Sequence, residues 1–261
     1  MKKVVFVGAG NVANSLAQAV AKLPDMQIVQ VYSRSIEAAQ LLASKIDCGI
    51  CYVNSFADIN PDADIYFFAI KDDVLPKVIR KVQTNSEALH LHTAGSHGLD
   101  IFGTDKPHCG VLYPFQTFTK TRTLDFNDIP LFVEAKSNED KESIMQIAKM
   151  LSTQVFEFNA ENRKYLHLAG VYANNFANAM FIEAQNILKH TDLPSSVLLP
   201  LIREMVNKLS VMPALQAQTG PAARHDTHII ERHVQLIDSD LQKQIYQLIS
   251  DQIIQWTSQP T

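Results

Sequence analysis

KVVFVGAGNVANSLAQAV, residues 3–20, decides the fold. Its first five residues are a continuous apolar run rich in valine, which suits a strand buried on both faces of a parallel sheet. G-x-G-x-x-A follows at once, as Gly8, Gly10 and Ala13. Leu16, Ala19, Val20 and Leu23 then recur at helical spacing. Strand, glycine turn and helix in this order are the signature of a dinucleotide-binding unit. Gly8 permits the tight turn. Gly10 leaves the backbone open to a pyrophosphate, and Ala13 lets the helix lie close to the strand. The N–H groups that open the helix, at Asn11 and Val12, face the phosphates.

The next diagnostic stretch is VYSRS, residues 31–35, at the tip of the second strand. An acid at this position would bind both ribose hydroxyls and select NAD. Here Ser33, Arg34 and Ser35 replace it. Two hydroxyls donate to a 2′-phosphate, and a guanidinium pairs with it and stacks on the adenine. NADP is the expected cofactor.

Working outward, strands and helices alternate as far as Phe158. Apolar runs at 26–32, 50–53, 64–70, 88–93, 110–114, 130–135 and 154–158 read as strands. This is the pattern of an α/β, doubly wound Rossmann sheet, mostly parallel. From Asn159 no strand pattern remains. Residues 161–190 read as one long helix, and the stretches beginning at Leu193, Arg224 and Asp240 read as three more. The expected domains are therefore an NAD(P)-binding domain over 1–158 and an all-helical domain over 159–261.

Composition narrows the function. The 261 residues carry a net charge of −4, whereas a nucleic-acid partner calls for a basic surplus. No apolar run reaches the roughly 18 residues of a membrane span. Cys48, Cys51 and Cys109 are odd in number and follow no secretory signal, so reduced thiols and a cytoplasmic location are expected. Cys48 and Cys51 form a C-x-x-C, but no second pair completes a zinc site and no metal is expected.

Taken together, GAGNVA, VYSRS, FFAIKDD (67–73), HTAGS (92–96) and a long helix bearing Asn174-Asn175 resemble the superfamily of pyrroline-5-carboxylate reductase, ketopantoate reductase and the 3-hydroxyacid dehydrogenases. A narrower resemblance is to a family of NADP oxidoreductases whose helical C-terminal domain has no assigned function. It is carried by HTAGSHGLDIF (92–102), LYPFQTF (112–118), GVYANNFANAM (170–180) and TGPAARHDTHIIERH (219–233). The resemblance implies a Rossmann domain, NADP, and a helical domain that contacts substrate and forms a homodimer. One departure stands out. The 3-hydroxyacid dehydrogenases carry a catalytic lysine where this chain has Val171, so their proton chemistry does not transfer.

Candidate site residues follow from the strand ends, where ligands bind in open α/β sheets. Ala69, Ile70 and Lys71 end the fourth strand and should line the cofactor. Thr93, Ala94 and Gly95 end the fifth, with His92 a candidate proton donor and Ser96 a substrate contact. Tyr113 and Gln116 follow the sixth strand as pocket wall. On the long helix, His167, Val171, Asn174 and Asn175 share one face at i, i+4, i+7 and i+8. His167 is the candidate to replace the missing lysine, and Asn175 the candidate polar contact. Thr219 and Arg224 are placed on the substrate, Arg224 as a carboxylate clamp. Two functions fit: an NADP-dependent oxidoreductase acting on a small carbonyl or imine, or a non-catalytic NADP-binding sensor or assembly protein.

Overall fold

The computed structural model describes residues 1–258, which divide into two compact units, Met1–Phe176 and a second beginning at Ala177. The first unit holds β1 (Lys2–Val7), α1 (Asn11–Val20), β2 (Met26–Tyr32), α2 (Ile36–Ile46), β3 (Cys51–Val53), β4 (Ile65–Phe68), α3 (Leu75–Lys81) and β5 (Leu89–His92). It continues with β6 (Cys109–Pro114), β7 (Leu131–Ala135), α4 (Asn138–Leu151) and β8 (Val155–Glu157). The strands form one sheet in the order β3-β2-β1-β4-β5-β6-β7-β8. β1 to β6 run parallel, β7 turns back on β6, and β8 follows β7.

β1 behaves as its valine-rich sequence requires. Val4 and Phe6 pack into the core on one face of the sheet, Val5 and Val7 into the core on the other. The Phe6 ring stacks on Phe67 of β4 at 4.9 Å. Ser35 and Ser137 cap α2 and α4, each accepting a backbone N–H three residues on. Such caps satisfy donors that the first helical turn leaves open.

Strand–helix alternation is not strict. β5 connects to β6 through a long loop with one 3-10 turn, Leu99–Phe102, instead of an α-helix. Antiparallel β6 and β7 need no crossover helix. Their loop sends Phe118, Phe126 and Ile129 into the core.

The first unit ends with α5 (Ala160–Gly170) and a stretch of π-helix, Val171–Phe176. The helix expected over 161–190 thus changes winding part-way. Gly170 stands where it does, and the Phe115 ring occupies the space its Cβ would need, 2.7 Å away. Glycine weakens an α-helix, and π turns gather at functional sites.

The second unit is helical: α6 (Ala177–Leu188), α7 (Leu199–Leu209), α8 (Ala214–Ala217), α9 (Thr227–Leu236) and α10 (Asp240–Thr257). The helix expected from Leu193 begins as a 3-10 turn, Ser195–Leu198, and Pro200 falls in the first turn of α7, where its missing N–H costs little. α6, α7 and α8 contribute no buried residue, and Leu201, Val206, Val211, Leu236 and Leu248 are exposed. No helix among the described residues is long and apolar enough to cross a membrane.

Candidate active site

The sheet order reverses between β1 and β4, so the chain leaves their carboxyl ends in opposite directions and opens a groove of about 760 Å³. Its floor is the glycine turn. Gly8 has φ +129°, and a Cβ there would meet the Ala69 carbonyl oxygen at 2.3 Å. Only glycine fits that position. At Gly10 a Cβ would meet nothing within 4 Å and would instead project into open space. The first glycine serves packing, and the second leaves room for a ligand against the start of α1. Asn11, Val12, Ser33, Arg34, Ala69, Ile70, Lys71 and Thr93 line the same groove.

A second cleft, of about 400 Å³, shares Asn11 and Val12 with the first. Tyr113 and Gln116 form one side of it. His167, Val171, Asn174 and Asn175 line it as well, together with Gly170 and Ala173 around the π turn. The Tyr113 hydroxyl and His167 Nδ1 are 3.0 Å apart. Burial pushes the Tyr113 hydroxyl up to about 12, with Asp72 adding to the shift. It keeps its proton at neutral pH, and with the hydroxyl as donor to Nδ1 the imidazole proton sits on Nε2. Nε2 has no hydrogen-bond partner among the described residues. Gly95 lies beneath the pair: a Cβ there would come within 2.9 Å of His167 Nδ1 and 3.2 Å of the Tyr113 ring.

A solved protein from Bacteroides fragilis, the "putative NADP oxidoreductase BF3122", is 40% identical over 97% of this chain and 98% of its own, with a TM-score of 0.92. The chain belongs to the same family. Two family models divide that assignment along the sequence. Residues 3–91 match the one described as NADP oxidoreductase, coenzyme F420-dependent, and residues 129–253 match a domain of unknown function, DUF2520. More distant structures share the family's fold. A reductive aminase from Aspergillus terreus, in complex with NADPH and ethyl-5-oxohexanoate, is 12% identical over 98% of this chain and 94% of its own, with a TM-score of 0.70. Plasmodium falciparum pyrroline carboxylate reductase with NADP bound is 12% identical over 98% of each chain, with a TM-score of 0.60. No curated protein matches the sequence.

Within this family member several expected site residues are engaged elsewhere. His92 is fully buried. Its Nδ1 accepts from the Ala94 N–H at 3.1 Å, and its Nε2 faces the Gly98 carbonyl at 3.3 Å. Burial, then the charge of Arg163, hold it down to about 3. A neutral ring with both nitrogens occupied does not deliver protons, so His92 is corrected from proton donor to structural histidine. Ala94 is buried, and its N–H serves that bond. Ser35 spends its hydroxyl on the α2 cap and on Glu37, 2.7 Å away. Ser96 binds the carboxylate of Asp72, and His97 donates to the Asp72 carbonyl at 2.9 Å, so the HTAGS turn is clasped to the end of β4. Thr219 and Arg224 belong to the second unit, where Thr219 borders an apolar cleft and Arg224 is exposed without an acidic partner among the described residues. No three metal-ligating side chains come together among the described residues.

Sequence reading missed Arg163. It is completely buried on α5, one turn before His167. Its guanidinium donates to Glu134 of β7 at 2.7 Å, to the Phe158 carbonyl at 3.3 Å and to the His97 carbonyl. These bonds tie α5 to the sheet and to the HTAGS turn.

The buried histidines make the fold acid-sensitive. His90 is also fully buried and is pushed down to about 4, chiefly by burial. An unfolded histidine titrates near 6.5. The folded pKa values lie below that, so the unfolded chain binds more protons and stability falls as pH drops from about 6.5 toward 4. Two such groups give a slope of about 2.7 kcal/mol per pH unit. Urea midpoints measured at pH 7, 6 and 5 test this, and equal midpoints would show that neither histidine is buried neutral.

Proposed function

We propose that this chain is an NADPH-dependent reductase of a small carbonyl or imine compound, with His167 supplying the proton. The observation that carries the reading is the meeting of the two clefts at Asn11 and Val12, with His167 in the wall of the second. When bound, NADPH supplies the hydride. The chain's own residues supply the rest. Gly8 shapes the turn, while Gly10 and the opening N–H groups of α1 receive the pyrophosphate. Arg34 and Ser33 receive the 2′-phosphate. Tyr113 orients His167 through Nδ1 and leaves Nε2 open, and the protonated ring gives its Nε2 proton to the developing alkoxide or nitrogen anion and is left as neutral imidazole. Gln116, Asn174 and Asn175 orient the substrate. The wall of the second cleft carries amides and aromatic rings and no Arg or Lys, which suits an uncharged reacting end.

Arg34→Ala is expected to weaken NADPH by about 10- to 150-fold and NADH little, since one charge-assisted contact is worth about 1.5–3 kcal/mol. Calorimetry with both nucleotides reads the difference; equal losses would sink the 2′-phosphate assignment. NADPH consumption against a panel of aldehydes, ketones and cyclic imines tests the chemistry. Val171 on the cleft wall, where related dehydrogenases carry lysine, favours a second reading, a non-catalytic NADP sensor. Tight NADPH binding without turnover of any panel member would select it.

The exposed apolar side chains of α7 support a homodimer as the working form, because patches of this kind on soluble proteins mark association surfaces. Light scattering that returns the mass of a single chain would reject the dimer. The exposed, unpaired thiols of Cys48 and Cys51 support work in a reducing compartment such as the cytoplasm.

A further inference from the structure

The groove beside the glycine turn is far more basic than the chain it belongs to. Arg34, Lys71, Lys77, Lys81 and Lys120 line it, against Asp72 as the one lining acid. The whole chain carries a net charge of −4. None of these five cations forms an ion pair among the described residues. Cations left unneutralised in a concave site raise the local concentration of an anionic ligand.

The tip of β2 does not account for this charge alone. Ser35 is engaged with its cap, and its hydroxyl proton goes to Glu37, which sets a carboxylate three residues beyond Arg34. Ser33 and Arg34 are what the tip itself offers. The other cations come from α3. Leu75 and Ile79 anchor that helix in the core, and Lys77 and Lys81, four residues apart, share its groove face. The Lys81 ammonium lies 5.7 Å above the centre of the Phe56 ring. Phe56 stacks on Tyr32 at 4.8 Å, and Tyr32 is the last residue of β2 before Ser33 and Arg34. Lys81, Phe56, Tyr32 and Arg34 therefore form one continuous wall built from three parts of the chain.

We infer that Lys77 and Lys81 of α3 join Arg34 in a cationic cradle for the 2′-phosphate of the dinucleotide, and so set the preference for NADPH over NADH. This rests on the reading that the groove holds NADPH. The 2′-phosphate adds about two negative charges that NADH lacks. A cradle for it is selective, whereas cations serving only the shared pyrophosphate would strengthen both nucleotides alike.

The test is calorimetric titration of the full chain with NADPH, NADH and 2′,5′-ADP, for wild type, Lys77→Gln, Lys81→Gln and Lys81→Arg. Each glutamine variant should weaken NADPH and 2′,5′-ADP by about three- to tenfold and change NADH by less than about twofold. Its thermal midpoint should stay unchanged, because both lysines are exposed. Lys81→Arg should keep most of the affinity. The dependence of log Kd on log salt should be shallower in the glutamine variants for NADPH only. Equal weakening of NADPH and NADH, or none, would overturn the cradle while leaving NADPH binding intact. Wild-type protein that binds none of the three ligands would overturn the underlying reading, and the cradle with it.

Discussion

His167→Phe is expected to lower turnover about 10²- to 10⁴-fold with NADPH affinity unchanged, the range typical of removing a general acid. An aromatic ring still stands beside Gly95, but the Nε2 proton and the contact with the Tyr113 hydroxyl are gone. Cofactor affinity is spared because His167 lines the second cleft and not the dinucleotide groove. Tyr113→Phe should be milder. It leaves the imidazole and releases only its tautomer, so the pH profile should shift more than the maximal rate falls. Steady-state rates for both variants, on whichever panel compound the wild type reduces, make the check. If His167→Phe turns over at the wild-type rate, the proton comes from another group or from water.

The second large effect is on stability. Arg163→Met is expected to cost about 3–5 kcal/mol, as when one partner of a buried ion pair is removed. The loss leaves Glu134 facing an apolar side chain, and leaves the carbonyls of Phe158 and His97 without a donor. Arg163→Lys should recover little, because three acceptors in different directions need a planar fork. Glu134→Gln should cost less than Arg163→Met, since Glu134 retains partial contact with solvent. Urea denaturation of the three variants reads these differences. A shift below about 1 kcal/mol for Arg163→Met would place it with ordinary surface pairs.

Much of the fold is legible because local pattern and tertiary environment agree. Val4 to Val7 are apolar at every position and are buried on both faces. Gly8 and Gly10 look alike in the motif and serve opposite ends, one packed against Ala69 and one open. The histidines of LHLH illustrate a signal that was present and underused: a parallel strand buries both faces, so alternation within it hides His90 and His92 together. Arg163 and the Tyr113–His167 pair were not legible. Their partners lie 29, 66 and 54 residues away, and no periodicity reports a contact across such distances. Nor did the spacing of apolar residues reveal the π turn, since one extra residue per turn hardly disturbs it. For Ser35 the cue was local: a serine just before an apolar helical repeat caps that helix before it binds anything else.

The margins of the sheet have a consequence for handling the protein. β3 and β8, at either edge, are each three residues long. An edge that short offers few unpaired backbone groups for a second molecule to extend. Under heat or at high concentration, strand-by-strand growth into fibrils is therefore disfavoured from the native state. Turbidity that develops while the fold is intact should therefore leave thioflavin fluorescence flat.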